Sequence, residues 1–188
     1  MKDLAVFDLD GTMIPGDSFA DLVRTKVLRH PRLMVLAAAR RLGAIDRLQF
    51  AASAHKTLMR SLANTEFVDQ FAQGLAKTVD HERLAQLRAF RDNGTFTLLL
   101  SASPNEYVAP LGASLGFDAA VGSHFTPTGY RHLWGARKRL YLDEHFPTHD
   151  FQRLYAIGDS DSDDSLLAAF EKADKCAPLR RRPGSVRL

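Results

Sequence analysis

The sequence predicts an α/β protein, a parallel sheet with right-handed crossovers that is interrupted after its first strand by an all-helical block. Three observations carry this expectation. Short apolar runs ending in acids or hydroxyls recur at residues 4–7, 95–100 and 154–157, as buried parallel strands do where they break into loops at their carboxyl ends. Strand and helix signals alternate from His81 onward, which argues for crossover connections. Between residues 19 and 79 strand character nearly vanishes, and Ala, Leu, Arg and Lys dominate, broken by Pro31 and Gly43.

The elements follow in chain order. Leu4-Ala5-Val6-Phe7-Asp8-Leu9-Asp10-Gly11-Thr12 is the first strand and its loop. Asp8 and Asp10 point to the same side of an extended chain because side chains alternate with period two. Uncompensated, such a pair repels and one pKa rises. A bound cation makes the pair tolerable, as does a division in which one acid stays charged and the other keeps a proton. The bland alternative for a lone Asp-x-Asp-Gly is a solvated hairpin turn. Pro15-Gly16-Asp17-Ser18 then reads as a turn and helix start with Asp17 or Ser18 as N-cap. Three or four helices fill residues 19–79; Asn64 caps one whose Phe67, Val68, Phe71 and Leu75 share a face. Residues 81–93 form an amphipathic helix with Leu84, Leu87 and Phe90 inward, closed at Asn93-Gly94.

The second strand, residues 95–101, ends in Ser101-Ala102-Ser103-Pro104, so its tip carries hydroxyls. A helix over 105–115 closes at Gly116, and residues 119–121 read as a short strand. Pro127-Thr128-Gly129 is a turn between two short strands. Residues 137–146 are helical up to Pro147. The third run ends in Gly158-Asp159, followed by Ser160-Asp161-Ser162-Asp163-Asp164 and a helix over 165–170. A last short element through Cys176 precedes the basic Arg180-Arg181-Arg182-Pro183.

Composition bounds the function classes. At 188 residues, 45% hydrophobic and 25% charged, the chain suits one soluble domain with an insertion. Its longest apolar run, residues 33–39, falls far short of the roughly 20 residues a spanning helix needs. The start Met1-Lys2-Asp3 runs straight into a strand with acids, unlike a signal peptide. The lone Cys176 excludes an internal disulfide and a thiolate zinc site, and the reading is cytoplasmic. His145 and His149 are four apart, but Pro147 between them spoils a metal-binding helix face.

In a parallel sheet the strand tips lie along one edge, so Asp8, Asp10, Ser101, Asp159 and Asp163 converge, with Lys138 opening a helix beside them. Acidic oxygens, one Lys and hydroxyls suit Mg²⁺ holding a phosphate, with a carboxylate placed to attack phosphorus. On these residues the chain resembles the haloacid dehalogenase superfamily of phosphohydrolases. Its four motifs match in order: Asp8-Leu9-Asp10-Gly11-Thr12; Ser101; Lys138 in Gly135-Ala136-Arg137-Lys138; and Gly158-Asp159-Ser160-Asp161-Ser162-Asp163.

The resemblance implies a Rossmann-like core over residues 1–16 and 80–188, with a helical cap over 17–79. It implies an aspartyl-phosphate on Asp8, and Asp10 as the acid that protonates the leaving alcohol and then the base that activates water. Gly11 and Thr12 would shape the phosphate loop, and Ser101 and Lys138 would hold phosphoryl oxygens. Asp8, the Asp10 carbonyl and Asp159 would bind Mg²⁺, with Asp163 in the metal shell or orienting Lys138. The insertion after the first motif is similar to that of subfamily IB, the group of phosphoserine phosphatase and the bacterial phosphatidylglycerophosphatase C. Asp17 stands near a Glu of the first of these, and Ser101-Ala102-Ser103 replaces its Ser-Gly-Gly. Asp17 is therefore either a specificity residue or simply an N-cap.

The expected partner is a small phosphorylated substrate. Arg24, Lys26, Arg29, His30, Arg32, Arg40, Arg41 and Arg47 flank residues 33–39, a pattern that fits either an anionic membrane surface or a packed cap helix with a solvated basic face. No stacking-aromatic pattern accompanies the charges, so nucleic acid is not expected. A phosphotransferase would use the same residues, and a signalling receiver also places a phospho-accepting Asp, a hydroxyl and a Lys on a parallel sheet.

Overall fold

The computed structural model describes residues 1–180. Six strands run β1 (Lys2–Phe7), β2 (Phe96–Pro104), β3 (Ala119–Thr126), β4 (Gly129–Arg131), β5 (Phe151–Gly158) and β6 (Lys172–Lys175) in chain order. Their order across the sheet is β4-β3-β2-β1-β5-β6, so β1 is central. All neighbouring pairs are parallel except the β3–β4 hairpin, whose strands meet antiparallel across Thr126 and Gly129. This is the α/β parallel sheet expected from the alternating pattern.

Both faces of the sheet are covered, and the period of two decides which residue goes where. Ala5 and Phe7 of β1, Leu99 of β2 and Tyr155 and Ile157 of β5 enter one buried cluster. Leu4, Val6, Leu98, Leu100 and Ala156 enter the other. A strand buried on both sides must be apolar at nearly every position, and residues 4–7 are.

The first cluster also takes in the inserted helices α1 (Ser18–Lys26), α2 (Pro31–Arg41), α3 (Arg47–Leu62) and α4 (Thr65–Ala76), with a single 3₁₀ turn after α1. Leu22, Leu33, Leu58, Phe71 and Leu75 belong to the same buried cluster as Phe7 and Tyr107. Three of the four starts are capped by the polar residue before them, Asp17 for α1, Asp46 with Gln49 as a capping box for α3, and Asn64 for α4, while α2 opens on Pro31 with no side-chain cap. The chain rejoins the sheet where the Asp80 N–H bonds the Met13 carbonyl at 2.9 Å. Then follow α5 (His81–Asp92), α6 (Asn105–Leu115), closed by left-handed Gly116, and α7 (Ala136–His145).

Several elements differ in length from the sequence reading, among them β5, which begins at Phe151 rather than at residue 154. β2 does not stop at Ser101 but continues to Pro104, which pairs with Ser123. The switch from apolar to small residues hid this, because the tip is satisfied by hydroxyls: Ser123 Oγ donates to the Ala102 carbonyl at 2.7 Å and accepts the Leu133 N–H at 2.9 Å. β3 runs through Gly122, where an added Cβ would lie 2.4 Å from the Ser103 carbonyl oxygen. The helix after β5 is shorter than expected, a 3₁₀ turn over Asp161–Asp163 and then α8 (Asp164–Leu167). The basic run lies beyond Arg180 outside the described residues, apart from Arg180 itself.

Candidate active site

The loop after β1 is folded on one carbonyl: Leu9 O accepts the N–H groups of Thr12, Met13 and Ile14 at 3.3, 2.9 and 3.1 Å. Gly11 has φ +82°, and a Cβ there would meet Asp159 Oδ2 at 2.1 Å. Only glycine lets this loop cross the tip of β5, and the crossing brings Asp159 to Asp8.

Asp8 and Asp10 stand two residues apart in opposite settings. Asp8 is buried; its Oδ1 accepts Lys138 Nζ at 2.5 Å and its Oδ2 accepts Thr12 Oγ1 at 3.1 Å. Lys138, in the first turn of α7 and 2% exposed, also donates to Asp163 Oδ1 at 2.7 Å. Asp163 Oδ2 takes the Ser160 hydroxyl at 3.0 Å. Asp10 meets no cation among the described residues. Its Oδ1 accepts the Ser18 N–H and its Oδ2 the Ser103 hydroxyl, both at 2.6 Å. Ser18 Oγ in turn bonds Ser103 Oγ and the buried Tyr107 hydroxyl, at 3.1 and 3.0 Å.

The electrostatics follow. Burial pushes Asp8 up to about 6, against the pull of Lys138, while Asp163 adds to the rise. Burial and the nearby Asp17 carboxylate push Asp10 to about 7, with the Ser103 and Ser18 bonds opposing. Burial works against the Lys138 charge, but Asp8 and Asp163 together hold its pKa above the usual value. Asp159 is also raised, by burial and by Asp163. Lys138 favours the charged form of Asp8, whereas Asp10, raised to about 7 and met only by an N–H and a hydroxyl, is poised to hold or release a proton near neutral pH.

Asp8, Asp159 and Asp163 each offer a carboxylate oxygen within 4.8 Å of the others. Three hard oxygen donors, two with pKa values raised partly by a like-charged neighbour, are a donor set that a divalent cation would relieve. The Asp10 carboxylate is not in this group, since it is turned toward Ser18 and Ser103.

Above these acids lies a cavity of about 840 Å³. Asp8, Asp10, Gly11, Lys138, Asp159 and Asp163 line it. Thr12 is fully buried with its hydroxyl on Asp8, beneath the wall rather than on it. Ser101 is also fully buried, its Oγ accepting the Ser103 N–H at 3.1 Å, and the wall here is made by Ala102 and Ser103. Asp17 caps α1 through the Ala20 N–H at 2.8 Å, the second of the two readings for it, and it also lines the cavity. Asp161 and Asp164 share Lys175 at the surface. Sequence reasoning missed Ser103 and Ser18 as partners of Asp10. The signal available was the spacing of two between Ser101 and Ser103, which puts both hydroxyls on one face if β2 continues.

A haloacid dehalogenase-like hydrolase profile matches residues 5–168. Protein CicA of Caulobacter vibrioides is 27% identical over 186 residues, covering 88% of this chain and 82% of that protein. Among solved structures, a protein of unknown function from Bordetella pertussis Tohama I superposes with TM-score 0.76 at 21% identity, over 98% of this chain and 92% of that one. A substrate-bound phosphoserine phosphatase superposes with TM-score 0.64 at 15% identity, over 92% and 86% of the two chains. These two likenesses are of fold.

Proposed function

The chain belongs to the haloacid dehalogenase-like hydrolases, and from that membership and the site's geometry we propose that it is a Mg²⁺-dependent phosphomonoester hydrolase acting through an aspartyl-phosphate on Asp8. The observation that carries this reading is the contrast between the two loop acids. Asp8 is clamped by Lys138 at 2.5 Å, while Asp10 has no cation partner among the described residues and is pushed up to about 7. A nucleophile must be ionised and oriented, and a general acid must hold a proton near the working pH.

The Asp8 carboxylate attacks phosphorus and the bond to the ester oxygen breaks, with the Asp10 proton passing to the leaving alcohol. Asp10, now ionised, takes a proton from the water that attacks the aspartyl-phosphate, which frees Asp8 and releases phosphate. Lys138 offsets charge on Asp8 and the phosphoryl oxygens. Asp163 fixes Lys138 from the far side at 2.7 Å. Ser103 holds Asp10 in place; Ser101 supports the strand end beneath it. Asp8, Asp159 and the Asp10 carbonyl would hold Mg²⁺, with Asp163 near it, and the ion would supply neutralisation of phosphoryl charge. We read residues 17–79 as the cap that selects a small phosphorylated substrate, with Asp17 at its inner edge, and the compartment as the cytoplasm.

A second reading of the substrate, a lipid phosphate at an anionic membrane surface, is favoured by one observation. Leu33 is buried, but Leu28, Met34, Val35 and Leu42 are 87, 54, 67 and 82% exposed beside Arg29, Arg32 and Arg41. No helix among the described residues is long and apolar enough to cross a membrane. Salt-sensitive co-sedimentation with anionic but not neutral vesicles would support it.

The main test is phosphate release from a panel of phosphorylated metabolites and lipids, with Mg²⁺ and after exhaustive chelation. Mg²⁺-dependent release supports the proposal. Transfer to a labelled acceptor without release would make the protein a transferase, and a stable phosphoprotein without turnover would make it a receiver.

A further inference from the structure

The far wall of the cavity is chemically unlike its floor. About 840 Å³ is in the range of sites that take ligands much larger than a phosphoryl group. The floor is acidic around Lys138. The wall facing it is built by α1–α3 and carries two guanidinium groups, Arg40 from the last turn of α2 and Arg47 from the first turn of α3. Arg47, Phe50 and Ala51 stand at i, i+3 and i+4, so one face of α3 lines the cavity, and Phe19 of α1 joins it. The arginine ion pairs of the described residues are made by Arg24, Arg131, Arg139 and Arg153. Arg40 and Arg47 therefore face the cavity with no carboxylate partner among the described residues.

Arg47 is also held in place. Its guanidinium carbon lies 4.8 Å from the centre of the Trp134 ring. Trp134 stacks on His132 at 6.4 Å and 16°, and His132 on Tyr130 at 5.8 Å and 23°. This ladder rises from the β3–β4 hairpin and ends in the cation. Burial, with Arg47 and Arg137 nearby, pulls His132 down to about 4, so that rung stays neutral. A pre-oriented, unpaired cation loses little entropy when an anion arrives.

We propose that Arg40 and Arg47 form a second anion subsite, and that the substrate is a phosphomonoester joined through a short apolar spacer to a second phosphate or carboxylate. The spacer lies along Phe19 and Phe50. This rests on the phosphohydrolase reading for the end of the substrate that reacts at Asp8.

The test compares α,ω-alkanediol bisphosphates of three to six carbons with n-alkyl phosphates of the same length, for wild type and Arg40→Gln/Arg47→Gln. Both positions are exposed, so the double change leaves the core untouched. In wild type the bisphosphate should lead in kcat/KM by at least about ten-fold, equivalent to about 1.4 kcal/mol. In the variant the ratio should fall to the statistical advantage of having two equal ends. ω-Carboxyalkyl phosphates decide whether the second anion is a carboxylate or a phosphate. A wild-type ratio at the statistical value, or an equal preference in the variant, overturns the subsite. Titration calorimetry with the same pairs on chelator-treated protein reads the preference without turnover. If no ester, p-nitrophenyl phosphate included, is hydrolysed, the hydrolase reading falls while the difference in bisphosphate affinity between the two proteins still decides the subsite.

Discussion

Lys138→Met removes a cation shared by two buried carboxylates and leaves a side chain of similar length. Lys138 is 2% exposed and sits 2.5 Å from Asp8 and 2.7 Å from Asp163. Deleting one partner of a buried pair costs about 3–5 kcal/mol because the remaining charge is uncompensated. In a protein of this size each kcal/mol moves Tm by roughly 2–4 °C, so Tm should fall by about 6–20 °C. The sign of the pH dependence follows from Asp8. Its folded pKa, about 6, already lies above the usual 3.8, so the folded state binds its proton first and stability falls as pH rises through that interval. Without Lys138 the Asp8 pKa rises further and the interval extends upward. The deficit against wild type should therefore be largest near pH 8 and shrink toward pH 5. Adding Asp163→Asn to the variant should recover part of the loss, since it removes one of the two stranded charges. Chelator-treated protein melted at both pH values is the assay. A loss below about 1 kcal/mol, or the same loss at pH 5 and pH 8, would refute the view that this lysine neutralises the acids.

Asp10 is pushed up to about 7, so turnover of esters with poor leaving groups should fall as pH rises through that value and its proton is lost; Asp10→Asn should remove this limb and harm alkyl phosphates more than aryl ones. Equal losses for both would reassign the acid. Ser103→Ala removes a 2.6 Å donor to the ionised Asp10 carboxylate; a charged hydrogen bond worth about 1.5–3 kcal/mol should move the alkaline limb up by roughly 1–2 pH units, and an unmoved profile would leave Ser103 a purely structural role. Asp159→Ala should raise the Mg²⁺ concentration needed for half-maximal rate, and an unchanged requirement would take Asp159 out of the metal site.

The parts of the site that were legible in the sequence are those fixed by strand periodicity and sheet topology. Residues 4–7 and 154–157 are apolar throughout because both faces of the central strands are buried, and in a parallel sheet their ends must share an edge. Asp8, Asp10 and Asp159 could be placed together on that ground alone. Lys138 was legible from its place at the start of a helix beside those strand tips and from its motif, although nothing in its helix marks the side chain as buried. The hydroxyl partners of Asp10 were not legible. Ser101-Ala102-Ser103 looks like the loss of a strand, whereas hydrogen bonds from Ser123 extend β2 past it and make Ser103 the residue at the tip. The ladder that ends in Arg47 was invisible for another reason. It joins residues of a hairpin to a helix more than 80 positions earlier, and stacking across such a distance leaves no periodic trace.

The covalent step on Asp8 is the centre of the account, and an acid quench during steady-state turnover tests it most directly. Peptide mapping of the quenched protein should find a phosphoryl group on Asp8 of the wild type. The adduct should accumulate further in Asp10→Asn with a good leaving group, where its breakdown lacks the base. Asp8→Asn should show neither adduct nor turnover while melting as a folded protein. Phosphate release by Asp8→Asn at a rate comparable to wild type, or steady turnover with no phosphorylated Asp8 in either active form, would contradict the mechanism.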